Sequence, residues 1–222
     1  FDYDTWTYTY LLWCNKTKHC LLIDPVFEQV ERDLSLIEKL GLNLKFVLET
    51  HVHADHITGA SLIKSKKDIK IVYGSKTGVE GADIYLDDNE ILKLGNENIQ
   101  ALHTPGHTSG CTSYYIDGYI FTGDTLFIDG TGRTDFQGGS SSDTYDSVTK
   151  KIYNYPNDTI VFPGHNYNGL TMSTIGEEKK SNPNVGLHIK KEDFILNESK
   201  KERPYPKRFD VAVPANMKCG KK

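Results

Sequence analysis

The sequence predicts an α/β domain. Short β-branched and aromatic runs alternate with segments whose apolar residues recur at helical spacing. A length of 222 residues suits one large domain, and 25% charged with 37% apolar residues is ordinary for a soluble globular chain. Thr7 to Trp13 and His19 to Ile23, separated by the polar Asn15-Lys16-Thr17-Lys18, read as a hairpin. Asp24-Pro25 then offers a capping side chain and a pre-set first turn to a helix carrying Phe27, Val30, Leu34, Ile37 and Leu40, ended by Gly41. Leu44 to Leu48 is a compact apolar strand, Ile57 to Lys64 a short helix, and Ile69 to Tyr73 another strand. Ile91 to Leu94, Ile99 to Leu102, Cys111 to Ile116 and Tyr119 to Thr122 continue as strands. Thr144 to Tyr153 reads as a helix and Thr159 to Phe162 as the last strand. Beyond Gly169 the charged runs Glu177 to Lys180, Lys190 to Glu192 and Lys200 to Arg203 read as solvated faces. Pro204, Pro206 and Pro214 suggest an extended tail laid over the domain, because roughly fifty residues bury little core of their own. The expectation is one domain over residues 1–222, with 170–222 as a C-terminal extension packed on it.

Charge excludes several functions. A net charge of −4 gives no broad positive field for phosphate backbones or anionic lipid, so nucleic acid is not an expected partner. No apolar run approaches the roughly 20 residues that span a bilayer, so no membrane partner is expected either. Cys14, Cys20, Cys111 and Cys219 form no C-x-x-C pair; they read as free, buried thiols in a reducing interior rather than as a disulfide frame or thiolate metal site.

The chemistry is concentrated in histidine. Five of the eight histidines fall in three segments, each directly after an expected strand: His51-Val52-His53-Ala54-Asp55-His56, Pro105-Gly106-His107 and Pro163-Gly164-His165. Gly123-Asp124 follows a fourth strand. The carboxyl ends of strands in an α/β fold converge on one edge, so these loops are expected to meet. Four ionisable groups within the six residues of H-x-H-x-D-H are costly to bury without a cation. Imidazole and carboxylate donors without thiolate suit divalent iron, zinc or manganese. His19, His103 and His188 read as ordinary hydrogen-bonded residues.

His51-x-His53-x-Asp55-His56 followed by His107, Asp124 and His165 resembles the metallo-β-lactamase superfamily, which implies an αβ/βα sandwich with metal at one edge of two packed sheets. Four longer strings are similar to the ETHE1-type persulfide dioxygenases within that superfamily: His53-Ala54-Asp55-His56-Ile57-Thr58-Gly59, Thr104 to Cys111, Gly132-Arg133-Thr134-Asp135-Phe136-Gln137, and Pro214-Ala215-Asn216-Met217-Lys218-Cys219-Gly220. The last lies outside the shared metal loops.

That resemblance implies one Fe(II) per chain, held by His51, His107 and Asp124, with an open face for a substrate sulfur and O₂. It implies oxidation of glutathione persulfide to sulfite and glutathione, with His53, Asp55, His56 and His165 supporting the three ligands. Glyoxalase II, a relative, uses the same seven positions for two metals and thioester hydrolysis, and the ligand inventory alone leaves that alternative open; a metal-binding scaffold without turnover is a third reading. The chain uses lysine at 22 of 26 cationic positions, so Arg133 is expected to serve as a planar fork, either for a glutathione carboxylate or to anchor the pocket loop, with Tyr167 beside it. Asn166 stands where the family usually carries Asp. The resemblance further implies dimers, in the cytoplasm of a bacterium or the mitochondrial matrix of a eukaryote.

Overall fold

In the computed structural model, which describes residues 1–221, two sheets face each other between layers of helix. The first sheet is ordered β1 (Tyr10–Trp13), β2 (His19–Ile23), β3 (Asn43–Leu48), β4 (Lys70–Gly74) and β5 (Ile84–Leu86). Its first pair is the antiparallel hairpin and the rest run parallel. The second sheet runs β11 (Ser173–Thr174), β10 (Ile160–Pro163), β9 (Tyr119–Gly123), β8 (Thr112–Ile116), β7 (Glu97–His103) and β6 (Ile91–Leu94). It is antiparallel except for the β9–β10 pair.

The two-residue period of the strands sorts side chains between layers. Leu21, Ile23, Leu48 and Val72 from the first sheet meet Ile99, Ala101, Tyr114 and Phe121 from the second. The alternate residues Leu22, Val47, Ile71 and Tyr73 face α1 (Val30–Lys39) and α2 (Ala60–Lys66). Ile120 and Val161 face α3 (Ser141–Lys150), α4 (Ile175–Ser181) and α5 (Lys191–Ser199) through Val148, Ile175 and Phe194. Each such burial contributes roughly 1.5–3 kcal/mol, so the sandwich is held by three apolar layers rather than by the site.

Several expectations are corrected. Asp24 caps no helix: a 3₁₀ turn, Phe27–Gln29, precedes α1, and Asp24 turns inward at φ 50° with 1% of its surface exposed. α2 starts at Ala60 rather than Ile57, because Ile57 packs under Ala212 and Ala215 and Val26 pairs with Thr58. α3 starts at Ser141, where Ser140 accepts the amide of Asp143, and a 3₁₀ turn, Ile152–Asn154, follows it. β5, three residues long, is too short to show a period, and β11 follows the strand taken as the last. The tail is extended only near Pro204 and Pro206. Three helices occupy the rest, including α6 (Phe209–Asn216), which contains Pro214. Proline there forfeits only the bond to the carbonyl of exposed Asp210. All four cysteines are free and buried, as expected.

Candidate metal centre

The loops after β3, β7, β9 and β10 meet at one edge of the sandwich and bring the expected groups together. Ligand atoms of His51, His107 and Asp124 lie within 4.8 Å of one another, on the scale of a single coordination sphere. His107 Nε2 is 3.6 Å from Asp124 Oδ2, and the His51 and His107 rings stand nearly perpendicular with centroids 4.9 Å apart.

Hydrogen bonds at the far side of each ring fix which nitrogen faces the centre. Thr50 Oγ1 donates to Asp24 Oδ2 at 2.7 Å, so its lone pair receives Nδ1–H of His51 at 2.9 Å. His107 Nδ1–H donates to the Arg133 carbonyl at 2.7 Å, and His165 Nδ1–H to the Trp6 carbonyl at 3.0 Å. His56 Nδ1–H donates to Asp55 Oδ2 at 2.9 Å. In the neutral form each of these four rings therefore carries its lone pair on Nε2, the form a metal requires, although, against burial, Asp124 and Asp55 beside His165 raise that ring's affinity for a second proton. Burial, then the neighbouring His53 and His107, hold His51 well below the usual imidazole range, so it is neutral.

His53 differs. Its Nε2–H points away from the triad, between Asp24 Oδ1 at 3.1 Å and Glu49 Oε2 at 3.2 Å. Burial opposes its protonation, but the charge of Asp24 and the bonds to both acids raise it well above the ordinary value. Burial pushes Glu49 up to about 7 against the pull of His53, and Thr58 Oγ1 donates to its other oxygen. Asp55 lies well below the usual carboxylate range despite burial, owing to His56 and His165. His165 Nε2 is 3.6 Å from Asp124 Oδ1 and 3.8 Å from Asp55 Oδ2.

A divalent cation fits this set. Asp124 Oδ1, His53 Nδ1 and His56 Nε2 are buried with no hydrogen-bond partner, a costly state for a carboxylate in particular. Two glycines permit the approach: a Cβ on Gly132 would lie 2.3 Å from the Asp124 carbonyl, and one on Gly164 2.5 Å from Asp124 Oδ1. Gly132→Ala is therefore expected to displace Asp124, costing about 1–3 kcal/mol of stability and most of the bound metal. Full metal content with an unchanged unfolding midpoint would contradict it.

The profile of the Metallo-beta-lactamase superfamily matches residues 6–97 and 87–165. The human mitochondrial persulfide dioxygenase ETHE1 is 41% identical over 217 residues, covering 96% of this chain and 84% of that protein. The crystal structure of ETHE1 from Myxococcus xanthus superposes with a TM-score of 0.97 at 43% identity, covering 99% of this chain and 97% of that one. The chain belongs to the metallo-β-lactamase superfamily and, within it, to the ETHE1-type persulfide dioxygenases. The cytoplasmic hydroxyacylglutathione hydrolase of Arabidopsis thaliana is 39% identical over only 168 residues, covering 72% of this chain and 64% of that protein.

For this dioxygenase-family chain the tail is part of the centre's scaffold. Asn216 is fully buried: its Oδ1 accepts Thr58 N–H at 2.9 Å, and its Nδ2 donates to the carbonyls of His53 and His56 at 2.9 and 2.8 Å. One amide thus pins the histidine loop from below. Asn216→Ala leaves three buried backbone groups unpaired and is expected to cost about 2–4 kcal/mol, read as a lowered denaturant midpoint. An unchanged midpoint would show that water replaces the amide.

A cavity of about 430 Å³ opens onto the triad, walled by Phe127, Tyr167, Arg133, Arg203, Pro204 and Pro206. Arg133 is there, but its fork is engaged: Nε and Nη2 bind Asp135 at 2.7 and 2.8 Å, and Nη1 donates to the Pro204 carbonyl at 2.9 Å. Of the two roles expected for it, the structure favours anchoring the loop to the tail over holding a carboxylate. The Tyr167 ring lies parallel to His165 with centroids 6.0 Å apart, and 61% of its surface is exposed at the mouth. Asn166 Oδ1 accepts the amides of Asn168 and Leu170, a turn role that needs only an acceptor.

Sequence reasoning missed Asp24, Glu49, Thr50, Thr7, Asn216 and Arg203. Thr7 Oγ1 donates to Asp55 Oδ2 at 3.1 Å across a separation of 48 residues. A signal existed for Glu49 and Thr50, polar residues between an apolar strand and His51, and for Asn216, which lies in the family-like tail string; the others arrive from distant segments.

Proposed function

We propose that this chain oxidises glutathione persulfide with O₂ to sulfite and glutathione, with one iron per chain held by His51, His107 and Asp124. The supporting observation is identity to persulfide dioxygenases across nearly the whole chain, including the helix that seats Asn216 under the histidine loop. His51, His107 and Asp124 would hold the iron, which when bound would supply the activation of O₂ toward the outer persulfide sulfur. One O₂ and one water per persulfide leave sulfite, glutathione and two protons. The residues do the placing. Thr50 and the Arg133 carbonyl hold the two imidazoles in the ligating tautomer, while Asp55 and His165 set the charge beside Asp124. Phe127, Tyr167, Pro204 and Pro206 give an apolar wall that limits water at the reacting sulfur.

A hydrolase with two metals would draw His53 into the centre. The bonds from His53 Nε2 to Asp24 and Glu49 leave Nδ1 open, so this ring suits either metal count; what favours the dioxygenase is identity over 96% of this chain to a persulfide dioxygenase, against a match over 72% of it to the hydroxyacylglutathione hydrolase. Oxygen uptake with glutathione persulfide, none with glutathione alone, and one iron per chain are the expected results. Rapid S-lactoylglutathione hydrolysis by protein holding two zinc ions, without oxygen uptake, would refute the reading. No helix among the described residues is long and apolar enough to cross a membrane. Given the mitochondrial relatives, the mitochondrial matrix is the proposed location for a eukaryotic source and the cytoplasm for a bacterial one.

A further inference from the structure

The lining of the cavity carries two arginines with opposite availability. Arg133 has its donors committed to Asp135 and the Pro204 carbonyl, and its charge is matched by that of Asp135. Arg203 makes one hydrogen bond among the described residues, from Nη2 to Glu198 Oε2 at 2.8 Å. Its other guanidinium donors are unassigned, its side chain is 24% exposed, and it lines the cavity.

Glu198 explains why Arg203 stands there. Its side chain is 1% exposed, and its second oxygen accepts Lys201 Nζ at 2.5 Å. One buried carboxylate shared by two cations leaves a net single positive charge at the rim. A buried acceptor also orients the guanidinium at low entropic cost, which a freely exposed arginine does not enjoy. Asp135, whose carboxyl also feels the charge of Arg203, is already held by Arg133. The remaining carboxylates of the cavity, Asp55 and Asp124, belong to the metal end. The cavity is thus lined by the donors of the triad and by an arginine that keeps guanidinium donors beyond its one bond to Glu198, with Pro204, Pro206, Phe127 and Tyr167 as its apolar lining.

We infer that Arg203, held by Glu198, is the substrate-anchoring residue of this chain: it binds a terminal carboxylate of the peptide thiol whose outer sulfur is directed at the triad. The inference rests on the proposed reading of the substrate as glutathione persulfide and assigns the residue that selects its carrier. An Arg fork meets a carboxylate through two parallel bonds, so it fixes orientation as well as adding affinity. It contributes to binding and not to the bond changes at sulfur, so its removal raises KM and leaves kcat in place.

The test uses the iron-loaded full chain and two readouts. Calorimetric binding of S-methylglutathione is compared between wild type, Arg203→Gln and Arg203→Lys, beside the same ligand with both carboxylates esterified. Affinity for S-methylglutathione is expected to fall about tenfold or more in Arg203→Gln and to recover in part in Arg203→Lys, while the diester binds all three alike. In oxygen uptake with glutathione persulfide, Arg203→Gln is expected to raise KM by a similar factor at unchanged kcat. Equal affinity of wild type and Arg203→Gln for S-methylglutathione, or an equal loss for the diester, overturns the assignment. Weakened binding in Arg203→Gln together with no oxygen uptake by wild type keeps the carboxylate subsite and removes the dioxygenase reading instead. An unchanged thermal midpoint of Arg203→Gln shows that the tail is still seated.

Discussion

His107→Ala is expected to abolish both iron retention and oxygen uptake with glutathione persulfide, while His165→Ala retains much of its iron. The difference follows from what each Nε2 faces. In His107 it lies 3.6 Å from Asp124 Oδ2 in the compact group with His51, and its Nδ1 proton is committed to the Arg133 carbonyl. His53 Nε2 is held by Asp24 and Glu49, and the ring belongs to the separate groups with Asp55 and His56 and with Asp24 and Glu49, so it is not placed to restore the His51, His107 and Asp124 set. His165 sits on the opposite side of Asp124, at 3.6 Å from Oδ1, and belongs to none of the three tight groups of potential ligands among the described residues. Losing an outer support costs roughly 10–100-fold in affinity, whereas losing one of three ligands removes the site. Metal analysis of both variants, purified identically, measures the contrast. If His165→Ala is stripped as completely as His107→Ala, Asp124 bridges two ions and the one-iron reading fails.

Asp24→Ala is expected to reduce metal affinity and fold stability together, although Asp24 belongs to no metal-ligating motif. Its Oδ1 accepts the Thr50 amide at 2.7 Å and faces His53 Nε2 at 3.1 Å; its Oδ2 accepts the Thr50 hydroxyl at 2.7 Å. With the acid gone, the Thr50 amide and hydroxyl lose their acceptor, His53 Nε2–H is left with Glu49 alone, and the Thr50 hydroxyl is free to turn its proton toward His51 Nδ1. That reverses the tautomer and directs N–H, not a lone pair, at the metal. Breaking a buried charged cluster costs about 3–5 kcal/mol, and losing the support of one ligand about 10–100-fold in metal affinity. Denaturant unfolding of metal-free protein reads the first effect and chelator competition the second. Thr50→Val separates them: it removes the His51 acceptor and leaves the Asp24 to His53 contact. Wild-type metal affinity in Thr50→Val would show that ring packing alone orients His51.

How much of this was legible in the chain depends on the range of the interaction. Strand and helix types followed from periodicity, because a period of two or of 3.6 is written in consecutive residues. Boundaries failed where a contact from elsewhere intervened. Asp24-Pro25 has the local form of a helix cap, yet two bonds from Thr50, 26 residues away, take Asp24 inward. Ile57 has the local form of a helix start, yet Ala212 and Ala215 hold it in the loop.

The seven polar residues of the centre were readable because they lie in four loops that follow strands, and because so many ionisable groups in six residues make sense only around a cation. The sequence by itself therefore determined the alternation of strand and helix and the donor set, and its family resemblance implied the layered sandwich on whose edge that set gathers. Which ring faces the metal, which proton each ring carries, and which arginine keeps donors for a ligand were decided only in the tertiary structure. Those properties depend on acceptors such as Asp24, the Arg133 carbonyl and Glu198, whose direction is set by packing. A carboxylate or carbonyl shows no preference for a partner until the fold has removed water from its side.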